Sequence, residues 1–286
     1  MIDDLFKRLA ECDICPQECK VNRIEGECGK CGTDSRIILS SYGPHYGEEP
    51  ELVGLSSSGT IFFGGCSLLC KFCQNYEISH CREGSFIDEV ALSEIMLHLQ
   101  SRNCNNINLV TPTHFAPQII KALVIAKNGG LTLPVVYNSG GYDKVDTLKH
   151  FDGLIDIYMP DLKFKNEEFS SLYTMSEKYF EYASQAVIEM HRQVGDLVVK
   201  NGVARRGMII RHLVLPDNQS DTREIIEFIA DNLGTNTYLN LMDQYMQSYK
   251  AHEFPKINRR LNYNEFKSYI EYAKKLGFKH PVYLYG

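Results

Sequence analysis

The chain has 286 residues, of which 44% are hydrophobic and 23% are charged, and its formal net charge is −6 at pH 7. These values are ordinary for a globular protein that buries a sizeable core in one large domain or two small ones. The acidic balance argues against bulk nucleic-acid binding, which needs a dominant basic surface. No window approaches the run of about 18 apolar residues that is typical of a membrane span.

The first 35 residues contain five cysteines and predict a small metal-binding cap. The N-terminal sequence MIDDLFKRLAEC lacks the apolar core of a signal peptide, so we expect a cytoplasmic protein. In a reducing compartment, closely spaced cysteines indicate metal ligation rather than disulfides. Four thiols suffice for a closed zinc site or a 4Fe–4S cluster, and a cap of reduced, partly exposed thiols is the alternative.

Residues 36–58 predict a short strand followed by a turn-rich connection. From residue 59 onward, short apolar runs alternate with amphipathic stretches of helical length. The apolar runs are 60–65, 107–110, 133–138, 154–161, 208–216 and 238–245. The helix candidates are 88–102, 115–128, 143–150, 177–194, 221–233 and 263–276. Six βα units predict a parallel sheet with helices outside, as either a barrel or an open sheet.

Polar groups collect where these strands are expected to end. The segments CSLLC, TPTH, NSGGY and PDLK follow the first four apolar runs in that order. Because chemistry in such folds gathers at the carboxyl ends of the strands, we expect a functional site there.

The first of these segments carries Cys66, Cys70 and Cys73 within eight residues. Thiolates hold iron–sulfur clusters, and full ligation of a four-iron cluster takes four cysteines. Three cysteines therefore leave one iron open, as a catalytic metal site requires. The alternatives are a zinc site, which usually needs two CxxC-like pairs, and accidental clustering.

The segment CSLLCKFC resembles the C-x3-C-x-aromatic-C signature of radical S-adenosylmethionine (SAM) enzymes. The resemblance implies that Cys66, Cys70 and Cys73 hold a 4Fe–4S cluster whose open iron is chelated by SAM. It further implies that the reduced cluster cleaves SAM to a 5′-deoxyadenosyl radical, which abstracts hydrogen from a substrate. The family's fold is a partial (β/α)6 barrel of parallel strands, and its electrons come from a one-electron donor such as flavodoxin or ferredoxin.

Further segments resemble a subgroup related to pyruvate formate-lyase activating proteins. They are NINLVTPTHFAP, VVYNSGGY, DIYMPDLKF, RGMIIRHLVLP, LNLMDQY and the cap sequence CDICPQECKVNRIEGECGKCG. In that subgroup, the recurrent cap cysteines correspond to Cys12, Cys15, Cys19 and Cys31, which leaves Cys28 spare. The resemblance thus implies a second metal site in the cap, holding zinc or a 4Fe–4S cluster.

The resemblance also implies contacts to SAM. Phe72 is expected to lie against the adenine, and Asn138 and Ser139 match the family's ribose or carboxylate contacts. Arg211 is a candidate partner for the SAM carboxylate.

The family's Gly-Gly-Glu turn after the second strand is replaced in this chain by TPTH. We expect Thr111, Thr113 and His114 to supply polar contacts to the cofactor in its place.

Asp161 and Lys163 match the Asp-x-Lys pattern of the activating enzymes, and their spacing at a strand end places both on one face. One interpretation makes them catalytic, with opposite charges beside bound SAM. The other is a partly buried ion pair that seals the barrel mouth.

We therefore predict an α/β protein with a cysteine-rich cap (1–35), a connecting segment (36–58) and a radical SAM partial barrel (59–286). The predicted function is reductive SAM cleavage and hydrogen abstraction from an unknown small-molecule or protein substrate. Two alternatives stay open: an activase that installs a glycyl radical on a partner enzyme, and a non-catalytic zinc or iron–sulfur adaptor.

Overall fold

The computed structural model describes residues 2–280. The strands of this part of the chain are β1 (Ile37–His45), β2 (Ser58–Phe63), β3 (Ser85–Ile87), β4 (Ile107–Val110), β5 (Val135–Ser139), β6 (Ile157–Pro160), β7 (Val198–Lys200), β8 (Val203–Leu213) and β9 (Tyr238–Met242). The α-helices are α1 (Ile2–Lys7), α2 (Pro50–Val53), α3 (Tyr76–Ser79), α4 (Glu89–Ser101), α5 (Ala116–Asn128), α6 (Val145–Leu148), α7 (Glu167–Tyr173), α8 (Tyr179–Val194), α9 (Thr222–Asn232) and α10 (Tyr263–Leu276). Short 3₁₀ turns lie at Arg8–Glu11, Arg23–Glu25, Thr113–Phe115, Lys149–Phe151, Pro216–Asn218 and Ala251–Glu253. Within the described residues, no helix has the length and apolar content that a membrane crossing needs.

Six parallel strands form the body of the sheet, in the order β2, β4, β5, β6, β8 and β9. They correspond one to one with the six apolar runs of the sequence. The long helices α4, α5, α8 and α9 connect successive strands of this series. The predicted partial (β/α)6 barrel with a cysteine-rich N-terminus is confirmed.

The remaining strands are antiparallel additions. β1 pairs with β2, and β3 pairs with the other edge of β1. β7 forms a hairpin with the start of β8. The segment 36–58, predicted as a strand and a connection, therefore extends the barrel sheet beyond β2.

The side chains that fill the inside of the barrel form a small core of their own. It consists of Leu52, Val136, Ile157, Met159, Ala204, Ile209 and Tyr238. Leu52 comes from α2 rather than from a strand, and it is fully buried. The carbonyl of Leu52 also accepts a hydrogen bond from the Asn106 amide at the start of β4, 2.9 Å away. The four-residue helix α2 thus plugs the barrel at the end where the strands begin.

The cap packs onto the opposite end of the barrel. The buried guanidinium of Arg23 donates to the carbonyls of His114 (2.7 Å) and Asp34 (2.6 Å). The Gln17 amide donates to the carbonyls of Ser67 (2.7 Å) and Met175 (2.8 Å). Because the donors of this buried guanidinium are paired with acceptors, Arg23 stabilises the packing of the cap against the segment that contains His114. The cap therefore rests directly on the loops that follow β2 and β4.

We predict that Leu52→Ala lowers the free energy of unfolding by about 2–5 kcal/mol, because it leaves a cavity inside the barrel. The matched control is Leu55→Ala three residues later, where the side chain is fully exposed and the change should stay within about 0.5 kcal/mol. Urea unfolding of both variants measures the difference. Equal effects of the two substitutions would contradict the proposed role of α2.

Candidate active site

The carboxyl ends of the parallel strands surround a cavity of about 290 Å³. Most of the barrel residues predicted from the sequence for catalysis, cofactor binding or cluster binding line it. They are Cys66, Cys70, Phe72, Cys73, Thr111, Asn138, Ser139, Asp161, Lys163 and Arg211. Residues that lie far apart in the chain thus meet in one place, since parallel strands present their carboxyl ends at the same edge.

The loop that carries the three cysteines follows β2 and is held by backbone contacts. Met175 donates its N–H to the carbonyl of Leu68 at 2.8 Å, and Lys71 donates to Tyr173 at the same distance. Leu68 also fills the space beside Gly140, where an added Cβ would lie 2.4 Å from a Leu68 methyl. Leu69 takes the left-handed conformation with φ of +48°. The cysteine loop is therefore fixed by its neighbours rather than by its own regular structure.

The cysteines of this loop are free thiols, as are all ten in the chain. Burial raises the pKa of Cys70, and nearby Lys163 opposes that shift. Among residues 2–280, no three His, Cys, Asp or Glu side chains are spaced to hold a single metal ion. Sulfur ligands of one tetrahedral zinc ion would lie only about 3.8 Å apart. The spacing of the loop therefore does not favour a single zinc ion there.

Three charged side chains form a network on one wall of the cavity. Asp161 Oδ2 accepts from Lys163 Nζ at 2.6 Å, and Asp161 Oδ1 accepts from Arg211 Nε at 2.9 Å. Arg211 also donates through Nη2 to Asn138 Oδ1 at 2.7 Å. All three charged side chains are at most 17% exposed. Both interpretations of the Asp-x-Lys pattern share this geometry, because the ion pair exists and also faces the cavity.

The network favours ionisation of its members. Burial opposes the charge on Asp161, but Arg211 and Lys163 outweigh it and hold the pKa of Asp161 below its usual value. Burial likewise opposes the charge on Lys163, yet Asp161 raises the pKa of Lys163. Lys163 lies close enough to favour the thiolate form of Cys70, whereas Arg211 also lies 3.9 Å from the buried carboxyl group of Glu49.

The Ser139 hydroxyl donates a hydrogen bond to Asp143, a buried carboxylate that was not predicted from the sequence. Asp143 accepts hydrogen bonds from Ser139 Oγ (2.7 Å), Thr113 Oγ1 (2.8 Å) and the Tyr137 hydroxyl (2.9 Å). Burial raises the pKa of Asp143, and the three hydroxyl donors oppose that shift. Asp143 thus fixes the turn after β5 to the turn after β4.

The replaced turn after β4 contributes one side chain to the cavity. Thr111 lines it, with the unusual φ of +59° for a β-branched residue. Thr113 and His114 are buried and do not line it. His114 Nε2 contacts the Gly64 carbonyl at 2.9 Å, and burial lowers the pKa of His114 to about 3. The structure therefore gathers Thr111, but not Thr113 or His114, with the other predicted cofactor residues.

Phe72 lies in an aromatic cluster at the base of the cysteine loop. Its ring makes edge contacts with Phe164, Tyr173 and Tyr245 at centroid distances of 6.1–6.4 Å. Phe72 is 5% exposed and forms part of the cavity lining.

Tyr179 was also missed from the sequence, although it braces two loops of the site. Its hydroxyl accepts from the Lys163 N–H at 2.9 Å and contacts the carbonyls of Gly140 (2.9 Å) and Asp161 (3.0 Å). Gly141 has φ of +76°, and an added Cβ there would lie 2.2 Å from the Asp161 carbonyl. Nothing in the sequence distinguishes Tyr179 from the other tyrosines of the chain.

The cap cysteines fall into two groups. Cys12, Cys15 and Cys31 are buried and Cys19 is half-buried, whereas Cys28 is exposed. Burial raises the pKa of Cys15, and the nearby Cys31, Cys12 and Cys19 raise it further. Four of the five cap thiols therefore lie close enough to repel one another as thiolates, and they are the four that the sequence resemblance singled out.

The comparisons with known proteins show two relatives of unknown function and no matching family model. The chain is 36% identical over 286 residues to the uncharacterized protein MJ0674 of Methanocaldococcus jannaschii, covering 95% of this chain and 76% of the relative. It is 26% identical over 263 residues to MJ0808 of the same organism, covering 85% and 73%. The chain belongs to the same protein family as MJ0674.

Two solved structures share the fold. Streptococcus suis SuiB, solved with its precursor peptide SuiA, has a TM-score of 0.54 at 10% identity over 76% of this chain. HydG, a maturase of the [FeFe]-hydrogenase, has a TM-score of 0.51 at 12% identity over 76% of this chain. The chain therefore shares its partial-barrel fold with both structures. It spans about half the length of either protein, 46% of SuiB and 48% of HydG.

We predict that Asp161→Asn lowers the free energy of unfolding by about 3 kcal/mol at pH 7, because two buried cations lose their shared anion. The folded-state pKa of Asp161 lies below its unfolded value of 3.8. Its stabilisation is therefore present above pH 3.8 and is lost as the pH falls through the folded-state pKa. Urea unfolding of the metal-free protein across this range measures both effects.

The control is Asp231→Asn, which removes an exposed carboxylate. It should leave the unfolding free energy nearly unchanged at every pH. A wild-type advantage over Asp161→Asn that did not shrink in acid would contradict the assigned charge state.

Proposed function

We propose that this chain, a member of the MJ0674 family with the fold of radical SAM enzymes, is itself a radical SAM enzyme. The observation that carries the proposal is that Cys66, Cys70 and Cys73 line one cavity together with the network of Asp161, Lys163 and Arg211. In such enzymes, a 4Fe–4S cluster and SAM together supply a 5′-deoxyadenosyl radical that abstracts hydrogen from the substrate. We further propose that the chain is related to pyruvate formate-lyase activating proteins, on the basis of the sequence segments that resemble them.

The residues present fit a three-cysteine cluster site. The donor set is three free thiols on a loop that neighbouring segments hold in place, with the Lys163 ammonium nearby. Soft thiolate donors are the ligands that iron–sulfur clusters prefer. We assign Cys66, Cys70 and Cys73 as the ligands and Lys163 as the cation that stabilises them.

The charged wall of the cavity fits an anionic group such as a carboxylate. Arg211 and Lys163 present N–H donors to an anionic group, while Asp161 and Asn138 keep those donors oriented. Phe72 offers an aromatic face for a base. Asp161 and Arg211 act in this proposal by binding and orienting SAM, with electrons delivered by a one-electron donor such as flavodoxin or ferredoxin.

We predict that anaerobically purified, cluster-reconstituted protein forms 5′-deoxyadenosine from SAM and dithionite, and that Cys70→Ala abolishes the product because the cluster loses a ligand. The second readout is iron and sulfide content with the electronic absorption of the cluster, measured for wild type and the Cys66/Cys70/Cys73→Ala variant. Circular dichroism checks that the variants fold.

A Cys70→Ala protein that still cleaved SAM would overturn the ligand assignment. Wild-type protein that holds iron and sulfide, yet forms no more product than the triple variant, would favour the non-catalytic adaptor.

We also propose a second metal site in the cap, formed by Cys12, Cys15, Cys19 and Cys31. Its support is the mutual proximity of these four thiols and their burial in a segment with little apolar core of its own. An added Cβ at Gly29 would lie 3.2 Å from the Cys19 sulfur and 3.7 Å from the Cys31 sulfur, so both sulfurs flank one point. An all-thiolate set suits either zinc or a 4Fe–4S cluster, and a single zinc ion would require the four sulfurs to draw closer together than they lie in the described structure.

We predict that Cys15→Ser removes the cap metal, since the buried thiol supplies one of four ligands, and that it lowers the thermal midpoint of the holoprotein. The matched control is Cys28→Ser, an exposed cap cysteine outside the set, which should retain the metal. Elemental analysis for zinc, iron and sulfide per chain identifies the metal. Equal metal content in Cys15→Ser and wild type would refute the site.

A further inference from the structure

A second cavity of about 800 Å³ adjoins the cysteine cavity at the open seam of the barrel. It lies between β9 and the segment 46–54, which connects β1 to β2. Three residues line both cavities: Arg211, Met242 and Gln244. We call this second cavity the seam recess. Because the two cavities share a wall, one ligand can extend from the recess to the cysteine loop.

The seam recess contains a buried carboxyl group whose hydrogen bonding is incomplete. Glu49 is 5% exposed and lines the recess. Its Oε1 accepts from Asn240 Nδ2 at 3.1 Å and lies 3.9 Å from Arg211 Nη1. Its Oε2 is fully screened and has no partner among the described residues. Buried polar atoms in folded proteins are rarely left unpaired, so this oxygen points to a missing hydrogen-bond donor.

The charge of the recess indicates what kind of donor is missing. Glu48, Glu49 and Asp243 face it, whereas Arg211 is its one cationic wall residue in the described chain. Arg211 already serves Asp161 and Asn138. Asp243 has no ion pair or hydrogen bond within residues 2–280, while Glu48 contacts His45 at 3.1 Å. The recess therefore has an excess of acceptors over donors. Burial raises the pKa of Glu49, and Arg211 opposes that shift, so a cationic ligand beside Glu49 would favour its charged form.

A metal ion does not account for this arrangement. No group of three acidic, histidine or cysteine side chains in the described residues is spaced to hold one. An organic cation needs no such convergence, because its N–H groups reach separate acceptors at hydrogen-bond distance.

We propose that the seam recess binds a protonated amino or guanidinium group of the substrate, with a small rotation of the Glu49 side chain turning Oε2 into the recess to accept one of its N–H bonds. This inference rests on the proposed function, since it assigns the substrate class of the same site. The substrate then extends past Arg211 and Met242 into the cysteine cavity. The C–H bond that reacts accordingly belongs to a part of the substrate remote from its cationic end.

The test measures binding to anaerobically reconstituted enzyme with SAM and without reductant, by isothermal titration calorimetry. The free-amine arm compares pentylamine with pentanol, and butylguanidine with butylurea. The peptide arm compares capped Ala-Ala-Lys-Ala-Ala with the same peptide carrying norleucine, which distinguishes a protein-borne cation from a small molecule. Glu49→Gln keeps the acceptor for Asn240 and removes the charge. Glu51→Gln, in the helix α2 that follows Glu49 and outside the recess, is the matched control.

We expect at least one cation to bind about tenfold more tightly than its uncharged isostere to wild type and Glu51→Gln, which corresponds to about one charged hydrogen bond. Glu49→Gln should lose this preference, and Asp243→Asn, a second variant on the rim, should reduce it. No preference for any cation in wild type, or a preference that survives in Glu49→Gln, would overturn the proposal.

SAM cleavage by wild type with dithionite alone, measured on the same preparation, separates the two proposals. Cleavage without any cation preference would refute the recess assignment and leave the proposed function standing. Cation preference without cleavage would refute the proposed function and leave the recess as a cation-binding site with no substrate role.

Discussion

The carboxylate of Asp161 lies between two buried cations, and the arrangement of the barrel mouth depends on that shared charge. Lys163 approaches it from the same loop, and Arg211 approaches it from the neighbouring strand β8. Arg211 then reaches Asn138 at the end of β5 and comes within 3.9 Å of Glu49 beside the seam. Without Asp161 between them, the buried cations Lys163 and Arg211 would repel each other in this low-dielectric setting. One anion therefore holds three strand ends in register.

The fold could be predicted from the sequence because its strands are buried on both faces. Such strands are nearly continuous apolar runs, and each of the six runs became a parallel strand. The antiparallel additions were harder to predict. β3 and β7 have three residues each, and their half-exposed or exposed positions carry no apolar run. The helix α2 could not be predicted either, since four residues are too few to show a helical period of apolar side chains.

The site was predictable where a motif specified both residue type and spacing. The cysteine loop, Asn138 and the pair of Asp161 and Lys163 all line the cavity. Thr113 and His114 do not, because the chain takes a left-handed turn at Thr111 and directs both side chains into the protein. Nothing in a Thr-Pro-Thr-His sequence specifies that turn. Asp143 and Glu49 could not be predicted, because nothing in the sequence around a single carboxylate indicates that it is buried.

The contact between the cap and the cysteine loop couples the stability of these two parts of the protein. An added Cβ at Gly65 would lie 2.7 Å from the Cys31 carbonyl and from a Thr33 methyl, and Gln17 reaches over to Ser67. Ordering of the cap and ordering of the cysteine loop are therefore thermodynamically linked, so each raises the free energy needed to open the other. If metals occupy the two sites proposed above, a chelator acting on the cap would also loosen the loop of Cys66, Cys70 and Cys73. Filling of either proposed site would then preorganise the other, so assembly of the holoprotein would be cooperative.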